Sequence, residues 1–351
     1  MAESDSVAPG VPLPGLKRAR RYPLGLPLKR LFSFEELGIT IALVVLVLLI
    51  GAFHSNFLSK NVLLNTLQTA SFVAIIAYGM VFLLAMGELD LSVGGTFAFS
   101  TIAGAQLMAG GGIDLNPWLA LLLAIFVGAG LGAVNGLLAS LLRLPLIIIT
   151  LGTLSAYGGL ATVISNAGPV ENLPTGGSFY SSLGGNWLDV PAAAWGALVL
   201  VVALTFAFTK TRFGTMVRAV GSNRQAAAFS GIPSGRIRLY AAVLTGALAA
   251  FSGMLSLAYF QGADPTIGGT GLALQVIAAA IIGGTAISGG TGTVPGALLG
   301  ALIVSVINAG LLFFAIPSNW SEFVTGAVII VAVGTDSQLR HRRATRAMQG
   351  L

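Results

Sequence analysis

The chain has 351 residues, 55% of them hydrophobic and only 9% charged, where a soluble domain carries roughly 25% charged residues. With 47 glycines and no cysteine, it excludes a soluble globular domain, disulfides, thiolate catalysis and cysteine-based metal sites, and indicates helices packed closely in a bilayer. A net charge of +6 reports topology and contact with anionic membrane lipid here, with no nucleic acid expected as a partner.

Residues 1–36 read as a disordered, basic cytoplasmic tail. Pro12, Pro14, Pro23 and Pro27 alternate there with Lys17, Arg18, Arg20, Arg21, Lys29 and Arg30, and such a segment cannot bury a core. No small-x-small cleavage site follows the first apolar run, so a cleaved leader is not expected. A transmembrane domain is expected over 37–335. Its first spans are predicted at 37–53, 62–86, 91–109, 117–142, 144–164 and 191–209, each near the ~20 residues that cross the hydrocarbon core. The polar link Gly87-Glu88-Leu89-Asp90 separates the second span from the third, and a longer polar loop fills 165–190.

The long polar stretch away from the termini is 210–238. It carries Lys210, Arg212, Arg218, Arg224, Arg236 and Arg238. Within it Arg224 to Phe229 reads as a short helix, stopped by Gly231, Pro233 and Gly235. This stretch is expected to be a cytoplasmic docking loop, with a basic loop resting on anionic lipid as the alternative. Further spans are predicted at 239–260, 272–288, 294–314 and 319–334. Residues 283–296 are rich in glycine and free of charge, so a re-entrant segment stays open there. A basic cytoplasmic tail is expected over 336–351.

Ten spans with both termini cytoplasmic place every lysine and arginine inside except Lys60, a positive-inside pattern. The fold class expected is therefore an all-α integral membrane protein. Asp90-Leu91-Ser92-Val93-Gly94-Gly95 is echoed by Ala286-Ile287-Ser288-Gly289-Gly290-Thr291, as an internal duplication would produce.

Gly128, Gly132 and Gly136 share one helix face, as do Gly296 and Gly300. They read first as tight packing within the subunit and alternatively as a subunit interface. Glu88 and Asp90 sit at the cytoplasmic end of the second span, where they can stay hydrated and ionised. Asp90 and Ser92 can cap the third helix. Asn65, Gln68, Thr69, Thr150, Thr153, Tyr157, Gln275 and Asn308 place uncharged polar groups inside spans. They suit a path for a neutral, hydroxylated solute, or else hold helices together. No carboxylate or histidine is expected near the midplane, which counts against ion coupling. Lys17, Lys29, Lys60 and Lys210 all lack a phosphate-loop context, so the chain is expected to be no enzyme and to carry no cofactor.

Several ordered blocks carry a resemblance: GELDLSVGG at 87–95, ITLGTLSAYGGLA at 149–161, FGTMVRAVGSNRQAAAFSGI at 213–232 and AAAIIGGTAISGGTGTVPGALLGALI at 278–303. Together they resemble the permease subunits of bacterial ABC sugar importers, the ribose, xylose and galactose-type branch of the binding-protein-dependent transport family. The resemblance implies a multi-pass inner-membrane subunit paired with a second copy or a paralogue. It implies a separate ABC ATPase that holds ATP and Mg, and an extracytoplasmic sugar-binding protein. It places Arg218, Gly221, Asn223, Gln225, Ala226, Ala227, Ser230 and Gly231 on an ATPase-coupling motif, and Asp90, Leu91, Ser92 and Gly94 on an Asp-Leu-Ser-x-Gly motif. Gln225 departs from a usual Glu. Glu88 departs from a frequent Gly and is expected to perturb a tight turn slightly. The function expected is ATP-driven import of a neutral sugar-like solute. An ion-coupled secondary transporter is the alternative, and a passive channel a further class.

Overall fold

A computed structural model describes residues 34–334, apart from 111–112, 175, 318–319 and 332–333. The two predicted tails lie outside the described residues, save that the first helix starts at Phe34. The chain is almost wholly helical. In order come α1 (Phe34–Phe53), α2 (Lys60–Ala85), α3 (Val93–Met108), α4 (Pro117–Leu141), α5 (Leu146–Ile164) and α6 (Ala192–Lys210). Then follow α7 (Arg212–Ser222), α8 (Arg224–Phe229), α9 (Ser234–Phe260), α10 (Gly269–Ile282) and α11 (Val294–Phe313). The last is α12 (Ser321–Val331). Strands β1 (Asn186–Trp187) and β2 (Val190–Pro191) form a small antiparallel hairpin in the loop before α6.

Among the described residues, seven helices are long and apolar enough to cross a membrane. They are α1, α2, α4, α5, α6, α9 and α11, while α3, α10 and α12 are shorter. The predicted span 272–288 is corrected: α10 ends at Ile282. Gly284 takes a positive φ of 90° just beyond it, and residues 283–293 form a turn before α11.

Helices α2 and α9 form the centre. From Ala70 to Met86 every residue of α2 is buried, because α9, α10, α11 and α6 surround it. The two central helices run side by side, with Ser252 Oγ donating to the Phe72 carbonyl at 2.8 Å. The glycine ladder of α4 faces α9. A Cβ at Gly128, Gly132 or Gly136 would strike Gly246, Ala242 or Leu239. The small residues thus let two backbones approach within the subunit. Gly296 and Gly300 do the same against Gly283 and Ala279 of α10.

The periphery is the reverse of a soluble surface. Ile41, Val44 and Leu48 of α1, Leu151 and Val163 of α5, and Val199, Val202 and Phe206 of α6 are exposed. Apolar area on this scale needs a lipid cover.

The connections gather on two faces. On one, Lys60 meets Asp189 at 3.0 Å, Gly110 donates to Asn172, and Val170 donates to Ala263. On the other, the α2–α3, α4–α5, α6–α9 and α10–α11 connections meet through Glu88, Leu146, Arg224 and Gly290.

Candidate functional site

The basic stretch folds into two short helices. Helix α7 was not foreseen. Phe213, Met216, Val217 and Val220 fall at i, i+3, i+4 and i+7, an amphipathic signal that the surrounding charge obscures. Thr211 caps it by accepting from the Gly214 N–H at 3.3 Å. Val217 and Val220 are buried. Arg218 lies along α7, its guanidinium 5.5 Å from the Phe208 ring centre.

The end of α7 is pressed against the core. A Cβ at Gly221 would overlap the carbonyl of Ala85, the last residue of α2, and crowd the Gly290 backbone. Gly290 itself donates to the Ala85 carbonyl at 2.8 Å. That bond satisfies one of the carbonyls a helix leaves free at its C-terminus. Gly221, the end of α2 and the α10–α11 turn therefore form one backbone-to-backbone junction.

Helix α8 is where the sequence places it. Asn223 caps it, accepting from the Ala226 N–H at 2.9 Å. At its end Gly231 has φ +76°. Ile232 and Gly231 donate to the carbonyls of Ala227 and Ala228, both at 3.0 Å. This pair of bonds is a Schellman stop, and the left-handed position needs glycine. Ser230 Oγ bonds the Ala226 carbonyl. Ala227 is buried, while Gln225 and Phe229 point outward, Phe229 at 92% exposure.

Glu88 corrects two expectations. It is not hydrated but 4% exposed, and Gly87, with φ 72°, carries the turn. Its Oε1 binds Arg224 of α8 and Arg238 of α9, the latter at 2.9 Å. Its Oε2 accepts from the Leu146 N–H at 3.0 Å. Leu146 opens α5, so the carboxylate also fills the anion-favouring end of that helix. One side chain thus joins the α2–α3 link to α5, α8 and α9. A buried carboxylate needs such partners, because losing one of a buried pair costs about 3–5 kcal/mol.

Asp90 is buried as well, at 2% exposure, and it does not cap α3 as expected. Its Oδ1 accepts from both the N–H and the Oγ of Ser92, at 2.8 and 2.6 Å. Asn135 Nδ2 donates to Ser92 Oγ at 2.7 Å, and the Tyr157 hydroxyl reaches Asn135 Oδ1 at 3.0 Å. Leu91 N–H donates to Thr150 Oγ1 at 3.1 Å. Gly94 abuts the backbone of Gly269. Thr150 and Tyr157 therefore hold the α2–α3 link to α4 and α5. Thr153 is half-buried on α5.

A cavity of about 500 Å³ opens between α2, α10, α11 and the start of α12. It collects Asn65, Thr69, Gln275 and Asn308, with Ser305 and Ser321 beside them. Gln68 does not line it; that side chain is buried with both amide atoms unpaired among the described residues. Asn308 Oδ1 accepts from Ser321 Oγ at 2.8 Å, and Asn65 Oδ1 accepts from the Tyr259 hydroxyl at 3.2 Å. The lining is apolar wall with a few uncharged polar groups, the usual make-up of a small-molecule site.

The family model for the branched-chain amino acid transport system / permease component matches residues 62–333. A probable ABC transporter permease protein, y4mJ of Sinorhizobium fredii, is 36% identical over 310 residues, 88% of this chain and 91% of that protein. The ribose import permease protein RbsC of Escherichia coli K12 is 34% identical, over 85% of this chain and 92% of its own. The autoinducer 2 import system permease protein LsrC of Salmonella typhi is 32% identical, over 89% and 88%. No solved structure matches the chain. The chain therefore belongs to this family of ABC-transporter permeases, multi-pass proteins of the bacterial inner membrane.

Proposed function

We propose that the chain is the transmembrane subunit of an ATP-driven importer for a neutral, sugar-like solute, delivered by an extracytoplasmic binding protein. Ten spans with cytoplasmic termini fit the alternation of the connections, and the α7–α8 face is then cytoplasmic. The Ala85–Gly290 bond sets one echoed turn against the end of α2. ATP and Mg would be held by a partner ATPase, and a second permease copy or paralogue would complete the pathway.

One observation carries this reading. Helix α8 offers Phe229 outward while Arg224, Ala227 and Ile232 root it in the bundle. A partner that grips the outer face would move α2, α5 and α9 through Glu88 and Gly221. That is a route from ATP-driven closure to alternating access. The cavity of Asn65, Thr69, Gln275 and Asn308 suits the solute, since hydroxyls can bond amides without a charge to neutralise. Relatives named for import of ribose and of autoinducer 2 support a small solute of this class.

The test is purification of the chain from native membranes in mild detergent, with mass spectrometry of its companions. Recovery of an ABC ATPase and a solute-binding protein is the expected result. Repeated recovery of the folded chain alone would overturn the reading.

A further inference from the structure

On the α7–α8 face a second cavity, about 360 Å³, lies between the end of α4, the start of α8 and the start of α9. Ser140, Arg143, Leu144, Arg224, Ser234 and Arg238 line it. Its charge is unbalanced. Arg224 and Arg238 share a single carboxylate, Glu88. Arg143 forms no ion pair or hydrogen bond among the described residues. The Arg238 side chain is 10% exposed, and its Nε, a donor, is buried without a partner. Three guanidinium groups against one carboxylate leave two positive charges facing a cleft, an arrangement that calls for an anion.

Arg143 is also held in an unusual backbone state. It follows α4 with φ 56°, a left-handed position where glycine or asparagine is favoured.

The rim says where the anion comes from. Leu141 and Leu142, just before Arg143, are 68% and 57% exposed, and Leu144 is exposed on the far side. Leu144 both lines the cleft and is exposed, beside Leu142, so cationic and apolar surface adjoin there, as in basic pockets between membrane helices that take anionic headgroups. A soluble phosphate or a protein carboxylate would make no use of Leu142 and Leu144.

The geometry points to a built site for an anionic phospholipid, with its phosphodiester among Arg143, Arg224 and Arg238 and its chains leaving past Leu142 and Leu144. Because Arg224 and Arg238 also hold Glu88, bound lipid would brace the junction of α5, α8 and α9.

The test uses the full chain in detergent, titrated with phosphatidylglycerol or phosphatidylcholine and read by native mass spectrometry and thermal unfolding. Phosphatidylglycerol is expected to remain bound and to raise the midpoint, while phosphatidylcholine and millimolar inorganic phosphate do neither. Arg143→Gln is expected to weaken phosphatidylglycerol binding by about fivefold, the effect of one basic residue near a lipid surface. Ser234→Glu, which places a negative charge in the cleft, is a second variant should the first not fold, and is expected to abolish the preference. Equal retention of the two lipids overturns the proposal. So does unchanged binding in both variants, and so does a fully competing inorganic phosphate. Loss of ATPase association without loss of lipid in Arg143→Gln would assign the cleft to a protein partner instead.

Discussion

Arg224, the first residue of α8, pairs with Glu88, a buried carboxylate on the turn between α2 and α3. The pair spans 136 positions of sequence and fixes an exposed helix to the centre of the bundle. Glu88→Gln keeps the shape and removes the charge, leaving Arg238 buried without its counter-ion. The variant should lose about 3–5 kcal/mol of stability. Thermal unfolding in detergent reads the loss, and partner ATPase activity should no longer respond to solute. A midpoint equal to that of the native protein would show that the pair holds nothing.

Gly221 is where α7 touches α2. Gly221→Val would force the Ala85 carbonyl and the Gly290 backbone apart, at a cost of about 1–3 kcal/mol for overpacking. Helical content measured by circular dichroism should stay near native, because α7 can shift outward as a unit. Uptake should fall at least tenfold. Native uptake in Gly221→Val would separate this contact from transport.

Asn223 tests the cap alone. Asn223→Ala should cost about 1 kcal/mol and fray α8, while Asn223→Asp should retain it. Hydrogen exchange of residues 224–229 checks this: faster in the first variant, near native in the second.

The cavity proposed for the solute gives a different signature. Gln275 lines it with no hydrogen-bond partner among the described residues, so Gln275→Leu disturbs little else. Loss of one solute hydrogen bond of about 1 kcal/mol should raise the KM of uptake about fivefold. The ATPase rate without solute should not change. An unaltered KM would exclude Gln275 from the path.

The bundle was legible because it follows from composition. Apolar runs of bilayer length, broken by glycine and charge, gave each long helix to within a few residues. The ends of α8 were legible too, since Gly231 and Pro233 act within a turn of the residues they stop. Long-range partners were not. Glu88 looked like a hydrated departure from a glycine because Leu146, Arg224 and Arg238 are remote in sequence. The same is true of Asp90, whose neighbours Asn135 and Tyr157 arrive on other helices. Helix α7 carried a readable period at Phe213, Met216, Val217 and Val220, yet its arginines marked it as loop. Four of the eight polar side chains expected along a solute path meet at one cavity. Thr150 and Tyr157 instead serve the α2–α3 link, a division that periodicity alone cannot make.

On the function proposed, this chain moves solute only when a partner ATPase drives it through α7 and α8. Uptake of a radiolabelled pentose or hexose panel into liposomes tests it most directly. The liposomes would hold the chain with or without its co-purified ATPase and binding protein. Uptake of at least one sugar is expected to need all three components and ATP, and to survive collapse of proton and sodium gradients. Uptake by the chain alone, driven by such a gradient, would contradict it.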